Sequence, residues 1–320
     1  MLDELPLLGD VQCSWVVLGM SAVARSNHLA RILPPTMSRG YTDGHDDAIW
    51  ECFCNILGVG ALHNDRLARQ IATLPGRMGG LGVRSATRSA TGAYWASWVS
   101  AFPIIRAKAP PIAQAILQEL TSAQGPTTFA LRELASARWQ LTQEGAADLP
   151  PWQDVAKGVE PIPPDRHADA ADFVQGWQCL ACSYSETHFL EHVVLPSCNR
   201  SRRTLLLSQS GGASGAFLRA VPSETAMVMS AIRFQVAIRR RLRWPLPQLG
   251  GKCSLGRLGR SRGSMPAKRT PDATINPIRK NLGPDISGSR RQSPGQRVLT
   301  GHGPPRNRSS RQSTHRDGSI

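Results

Sequence analysis

Two cysteines in a C-x2-C step, Cys179 and Cys182, precede two histidines four residues apart, His188 and His192. Two thiolates and two imidazoles make a donor set for tetrahedral Zn2+. Ser183 and Glu186 have the spacing of a capping box, and a helix opening there would set the two imidazoles one turn apart. The spacing weighs against a finger: five residues separate Cys182 from His188, where such modules have about a dozen. An ordinary helix is therefore the preferred reading, with no cofactor, and a small zinc module over 179–198 is the alternative.

Three other patterns invite chemistry. His188-x-x-Glu191-His192 has the order of an inverted zinc-protease motif, which needs a further carboxylate ligand downstream; Glu224 is the only glutamate after it. Asp46-Asp47 is the only adjacent acidic Asp pair, but a polymerase needs an aromatic-x-Asp-Asp turn and a third Asp to hold two metal ions. Gly44 stands where the aromatic belongs. The acids at Asp43, Asp46 and Asp47 instead suit the start of a helix, where the macrodipole favours negative charge. The run from Gly76 to Gly82 lacks the Lys-Ser/Thr ending of a phosphate loop, so its glycines are expected to supply positive φ in a tight connection.

The strongest binding candidate is the segment from Arg233 to Trp244. Phe234, Ile238 and Leu242 recur at i, i+4 and i+8, so one face can pack, while Arg233, Arg239, Arg240, Arg241 and Arg243 cover the rest. Guanidinium forks match phosphates, and Trp244 offers a ring for stacking on a base. The competing reading is a solvated basic face over core residues.

The elements that would position these groups are almost all helical. Apolar spacing and breakers place helices at 12–31, from Asp43 to Leu57, 67–74, 85–99, 111–120, 127–143, 183–195, 201–208 and 230–242. Pro34 and Pro35 are expected to stop the first of them. Alternating strand patterns are nearly absent. The fold class is mainly α: irregular helical bundles followed by a disordered basic C-terminal tail. The expected organisation is a helical region over 1–149, a Pro-rich linker over 150–167, a second helical region over 168–247 and a tail over 248–320.

Charge separates the tail from the rest. Of the net +15, residues 251–320 carry 15 Lys and Arg against 3 Asp and no aromatic residue, a net of +12. So few apolar groups cannot offset the entropy of ordering, and disorder is expected there. The eight Trp, seven Phe and three Tyr all precede it. The start is acidic and lacks a signal-peptide pattern, no apolar run approaches the ~18 residues of a spanning helix, and seven scattered Cys do not form a disulfide framework. A soluble protein of a reducing compartment, without a membrane partner, is expected.

A family resemblance joins these pieces. Asn27 to Arg31 with Pro34-Pro35, His45-Asp46-Asp47, Leu74-Pro75 followed by Gly79-Gly80-Leu81-Gly82, and Ala93-Tyr94-Trp95-Ala96-Ser97-Trp98 resemble the region after the polymerase core of non-LTR retrotransposon proteins. Gly176-Trp177, Thr187-His188-Phe189, Leu195-Pro196, Leu206 to Ser210 and Phe234 to Leu242 continue the likeness to about position 247. The resemblance implies a truncated, noncatalytic segment of a polyprotein whose parent activity is RNA-directed DNA polymerase, with a post-polymerase, thumb- or connection-like role for 1–149 and with RNA or DNA as partners. After Pro247 it stops; only Lys252-Cys253 echoes the Cys-rich stretch the family continues with. The tail is either out of frame or a native basic extension, and a nonfunctional remnant is a further alternative.

Overall fold

Prolines, glycines and short polar side chains set the helix ends. The computed structural model describes residues 1–161 and 176–246. Asp10 accepts from the Cys13 N–H and opens α1, Val11–Val17; α2 is Ser26–Ile32. Helix α3, Pro35–Leu57, starts on Pro35 and ends at Gly58 with φ of 57°. Asp65 caps α4, Arg66–Ala72, and Ser85 caps α5, Ala86–Lys108. Next come α6, Pro110–Thr121, α7, Phe129–Gln143, and α8, Trp152–Lys157. Helix α9, Trp177–Phe189, runs through a π turn, Leu190–Val194, into the short α10, Leu195–Ser197. Asn199 caps α11, Arg200–Ser208, which is followed by α12, Ala216–Arg219, and α13, Ala231–Leu242. The architecture is mainly α, as expected; among the described residues the one β-type pairing is a bridge between Met78 and Ser210.

Several boundaries differ from the sequence reading, each for a local reason. The chain from Val11 to Ile32 is helical as expected but changes pitch, with a π turn at Leu18–Ala22 and a 3-10 turn at Val23–Arg25. Pro35 does not merely end the preceding helix. It occupies the first position of α3, where its missing N–H has no intrahelical partner to lose. Asp43, Asp46 and Asp47 therefore lie inside α3 rather than at its start. Ser183 lies inside α9, its Oγ donating to the Leu180 carbonyl, so the capping box is not formed. Helix α5 continues past Val99, through Pro103, to Lys108.

The proline-rich stretch at 150–161 is not bare connection. Trp152, Val155 and Ala156 of α8 are buried against the aromatic and aliphatic face of α5. Helix α5 is central, packing on α2, α3, α6, α7, α8 and α9. Among the described residues two large apolar cores result, with a small alanine contact between α2 and α5 beside them. One joins Trp15, Phe53, Leu57 and Leu74 to Leu206, Phe234, Ile238 and Leu242. The other joins Tyr94, Trp95, Phe102, Leu134 and Trp152 to Trp177 and Ala181. Each draws on both sides of the proline-rich stretch. The described residues all fall in one unit, Met1–Ser254. The expectations for the tail over 248–320, and for 162–175, lie outside the described residues. Among the described residues no helix is long and apolar enough to cross a membrane.

Candidate nucleic-acid interface

Helix α13 meets the core as its spacing dictates. Phe234, Ile238 and Leu242 are fully buried, each contributing about 1.5–3 kcal/mol of apolar burial. The helix closes in a Schellman arrangement: Trp244 N–H donates to the Arg239 carbonyl at 2.9 Å and Arg243 N–H to the Arg240 carbonyl at 3.3 Å. That geometry needs a left-handed residue after the last turn. Arg243 fills the place with φ of 59°, the one non-glycine with positive φ among the described residues.

The six residues singled out on this helix divide by environment. Arg233, Arg240 and Arg243 are exposed. Arg239 is half-buried, its guanidinium donating to the carbonyls of Pro245 at 3.1 Å and Leu57 at 3.2 Å. Arg241 and Trp244 correct the sequence reading. Arg241 is buried and donates to the carbonyls of Ser214, Gly76 and Gln209, and burial pushes its pKa down. It ties the glycine-rich connection to the end of α11 and has no face left for phosphate. Trp244 is 4% exposed, its ring 5.8 Å from Trp50 and 6.0 Å from Phe53. It is packed into the core against α3 and is not a stacking platform.

Helix α11 supplies cations that the sequence reading passed over. Arg200 and Arg203 are exposed in its first turn, while Arg202 pairs with Asp65 at 3.4 Å. The signal was present: arginines in a first turn oppose the macrodipole and need another reason to be there. Between 193 and 246 the chain holds nine Arg, no Lys and one acid, Glu224.

The other constellations are committed elsewhere. Cys179, Cys182, His188 and His192 lie along one helical run, so a rise of ~1.5 Å per residue spreads them too far for one ion. Among the described residues no three His, Cys, Asp or Glu gather as metal ligands. Cys182 sits where α9 crosses α5, its thiol donating to the Ser89 carbonyl at 3.8 Å, and burial pushes its pKa to about 12. A Cβ on Gly92 would come within 3.1 Å of its Sγ. The His188 and His192 rings lie 4.4 Å apart, tilted by 43°. Glu186, which is buried, pairs at 2.9 Å with Arg88, which is half-buried. Arg88 also donates to the Thr73 carbonyl and lies 4.2 Å over the Phe189 ring. Burial raises the Glu186 pKa and Arg88 opposes that rise.

Asp46 accepts from Ser85 Oγ at 2.6 Å and from the Ala86 and Thr87 N–H groups, and Asp47 pairs with Arg69 at 2.6 Å. The glycine-rich connection has the positive φ expected, at Gly79 and Gly82. It packs on α11 and on the segment that follows it: Gly211 N–H donates to the Arg77 carbonyl and Ser214 Oγ to the Gly76 carbonyl, each at 2.7 Å.

Comparison of the chain with protein-family models, curated proteins and solved structures gives no match.

Proposed function

We propose that this chain is a noncatalytic, nucleic-acid-binding segment of a non-LTR retrotransposon reverse-transcriptase polyprotein. The observation that carries the binding is the excess of arginine over acid between 193 and 246, with Arg200, Arg203, Arg233, Arg240 and Arg243 exposed. Guanidinium groups free of carboxylate partners neutralise phosphates and release their counterions.

The retroelement reading rests on the ordered motif series. It is supported by how distant motifs meet. Gln178, next to the Gly176-Trp177 motif, bonds Asn27 and Arg31 at 2.5 and 3.0 Å. Gly79 lies so close to the Leu206 backbone that a Cβ on it would come within 2.5 Å of the Leu206 carbonyl oxygen. Pieces quoted in sequence order as one family pattern thus depend on one another for packing.

The test is binding of a labelled single-stranded RNA and a duplex DNA to the full chain across a salt series. Affinity falls as salt rises, and Arg233→Gln with Arg240→Gln lowers the log–log slope by about 0.7 per lost contact on the single strand. Absence of binding by the unaltered chain rejects the proposal.

A further inference from the structure

We infer that the groove between α11 and the end of α13 is a seat for the phosphodiester backbone of a nucleic-acid strand, an inference that rests on the function proposed above. The groove has a volume of about 530 Å3 and is lined by Arg200, Ser201, Thr204, Leu205, Ser208 and Arg243. It contains no acid. Ser201, Thr204, Leu205 and Ser208 fall on one side of α11 because they are spaced three and four apart.

Donors in the groove are unequal. Thr204 Oγ1 donates back to the Arg200 carbonyl at 2.9 Å and Ser208 Oγ to the Leu205 carbonyl at 2.8 Å, so both protons are in use. Ser201 differs. Its Oγ accepts from Arg243 Nη2 at 2.8 Å, and its own proton has no acceptor among the described residues. Arg200 has no partner among them either. The groove therefore presents two guanidiniums and one hydroxyl proton, the donor types that contact phosphate oxygens.

Backbone conformation points the same way. A Schellman end favours glycine at the position of Arg243. The chain instead holds an arginine there at positive φ, and that residue brings its guanidinium to Ser201. Strain of this kind clusters where a side chain is needed. The occupant is set by charge: the surrounding segment carries nine Arg against one Glu.

The test uses the full chain, a labelled single-stranded RNA, a salt series and thermal unfolding. Arg243→Gly removes the guanidinium and the positive-φ strain together. The expected result is an affinity lowered about fivefold and a log–log slope lowered by about 0.7, with a Tm unchanged or raised. Arg200→Gln gives a similar loss, and because Arg200 has no partner among the described residues its loss cannot be ascribed to unfolding. The loss is the same for RNAs of different sequence, since phosphate carries no base information. Unchanged affinity and slope in both variants overturn the groove, as does a loss confined to one base sequence. If the Arg233→Gln, Arg240→Gln pair then still weakens binding, the broader function stands and only the groove falls. If the unaltered chain binds no RNA, both fall.

Discussion

Asp46 lies in the middle of α3 and accepts a 2.6 Å hydrogen bond from Ser85 Oγ, the capping residue of α5. The same carboxylate accepts from the N–H groups of Ala86 at 2.7 Å and Thr87 at 3.3 Å. Ser85 Oγ in turn accepts from the Arg88 N–H at 3.1 Å. Two side chains thus satisfy three donors in the first turn of the central helix. Asp46→Ala is expected to lower stability by about 1–2 kcal/mol, read as a lower urea midpoint. Asp46→Asn keeps one acceptor oxygen and loses less. A midpoint equal to that of the unaltered chain would refute this role.

Arg240 and Arg241 are neighbours with opposite environments, and their substitutions separate stability from binding. Arg241→Met leaves the Ser214, Gly76 and Gln209 carbonyls without that donor. The expected cost is about 3 kcal/mol. Arg240→Gln, on the exposed side, changes stability by about 0.5 kcal/mol or less and weakens RNA binding. Chemical denaturation beside a binding titration distinguishes the two.

Gly79 and Gly82 share positive φ, 85° and 80°, but not surroundings. A Cβ on Gly79 would lie 2.5 Å from the Leu206 carbonyl oxygen, whereas one on Gly82 meets open space. Gly82→Ala should cost about 1 kcal/mol, the left-handed strain alone. Gly79→Ala adds a clash with backbone, for a total of about 2–4 kcal/mol. Thermal melts of the two variants check the order, and equal shifts would argue against contact between this connection and α11.

Three thiols, those of the buried Cys52 and Cys54 and of the half-buried Cys182, make the fold sensitive to alkali. Burial pushes Cys52 to about 11 and Cys54 and Cys182 to about 12, above the ordinary value of 9.0. Because the folded values are raised, the unfolded chain loses these protons first. Their contribution is complete below pH 9.0 and declines as the pH rises towards 11 and 12. Urea midpoints should fall across that window. Cys54→Ala should make the decline shallower, and an unaltered slope would remove Cys54 from the cause.

Periodicity and local chemistry by themselves determined the helical class, the apolar face Phe234, Ile238 and Leu242, and the positive φ at Gly79 and Gly82. Those properties depend on residues a few positions apart, so they survive without knowledge of the fold. Asp46 shows the limit. Acids suited to a helix start were legible, but the start they serve belongs to α5, some forty positions away. Trp244 and Arg241 show it again. A basic, aromatic helix end reads as a binding surface until the fold brings Trp50 and Phe53 against the ring and three carbonyls against the guanidinium. Arg200 and Arg243 belong to helices separated in sequence by α12, and only packing makes them line one groove. Spacing along the chain tells which groups share a face. What that face meets is set by the long-range burial of apolar surface, and this decides which arginines are structural and which remain free.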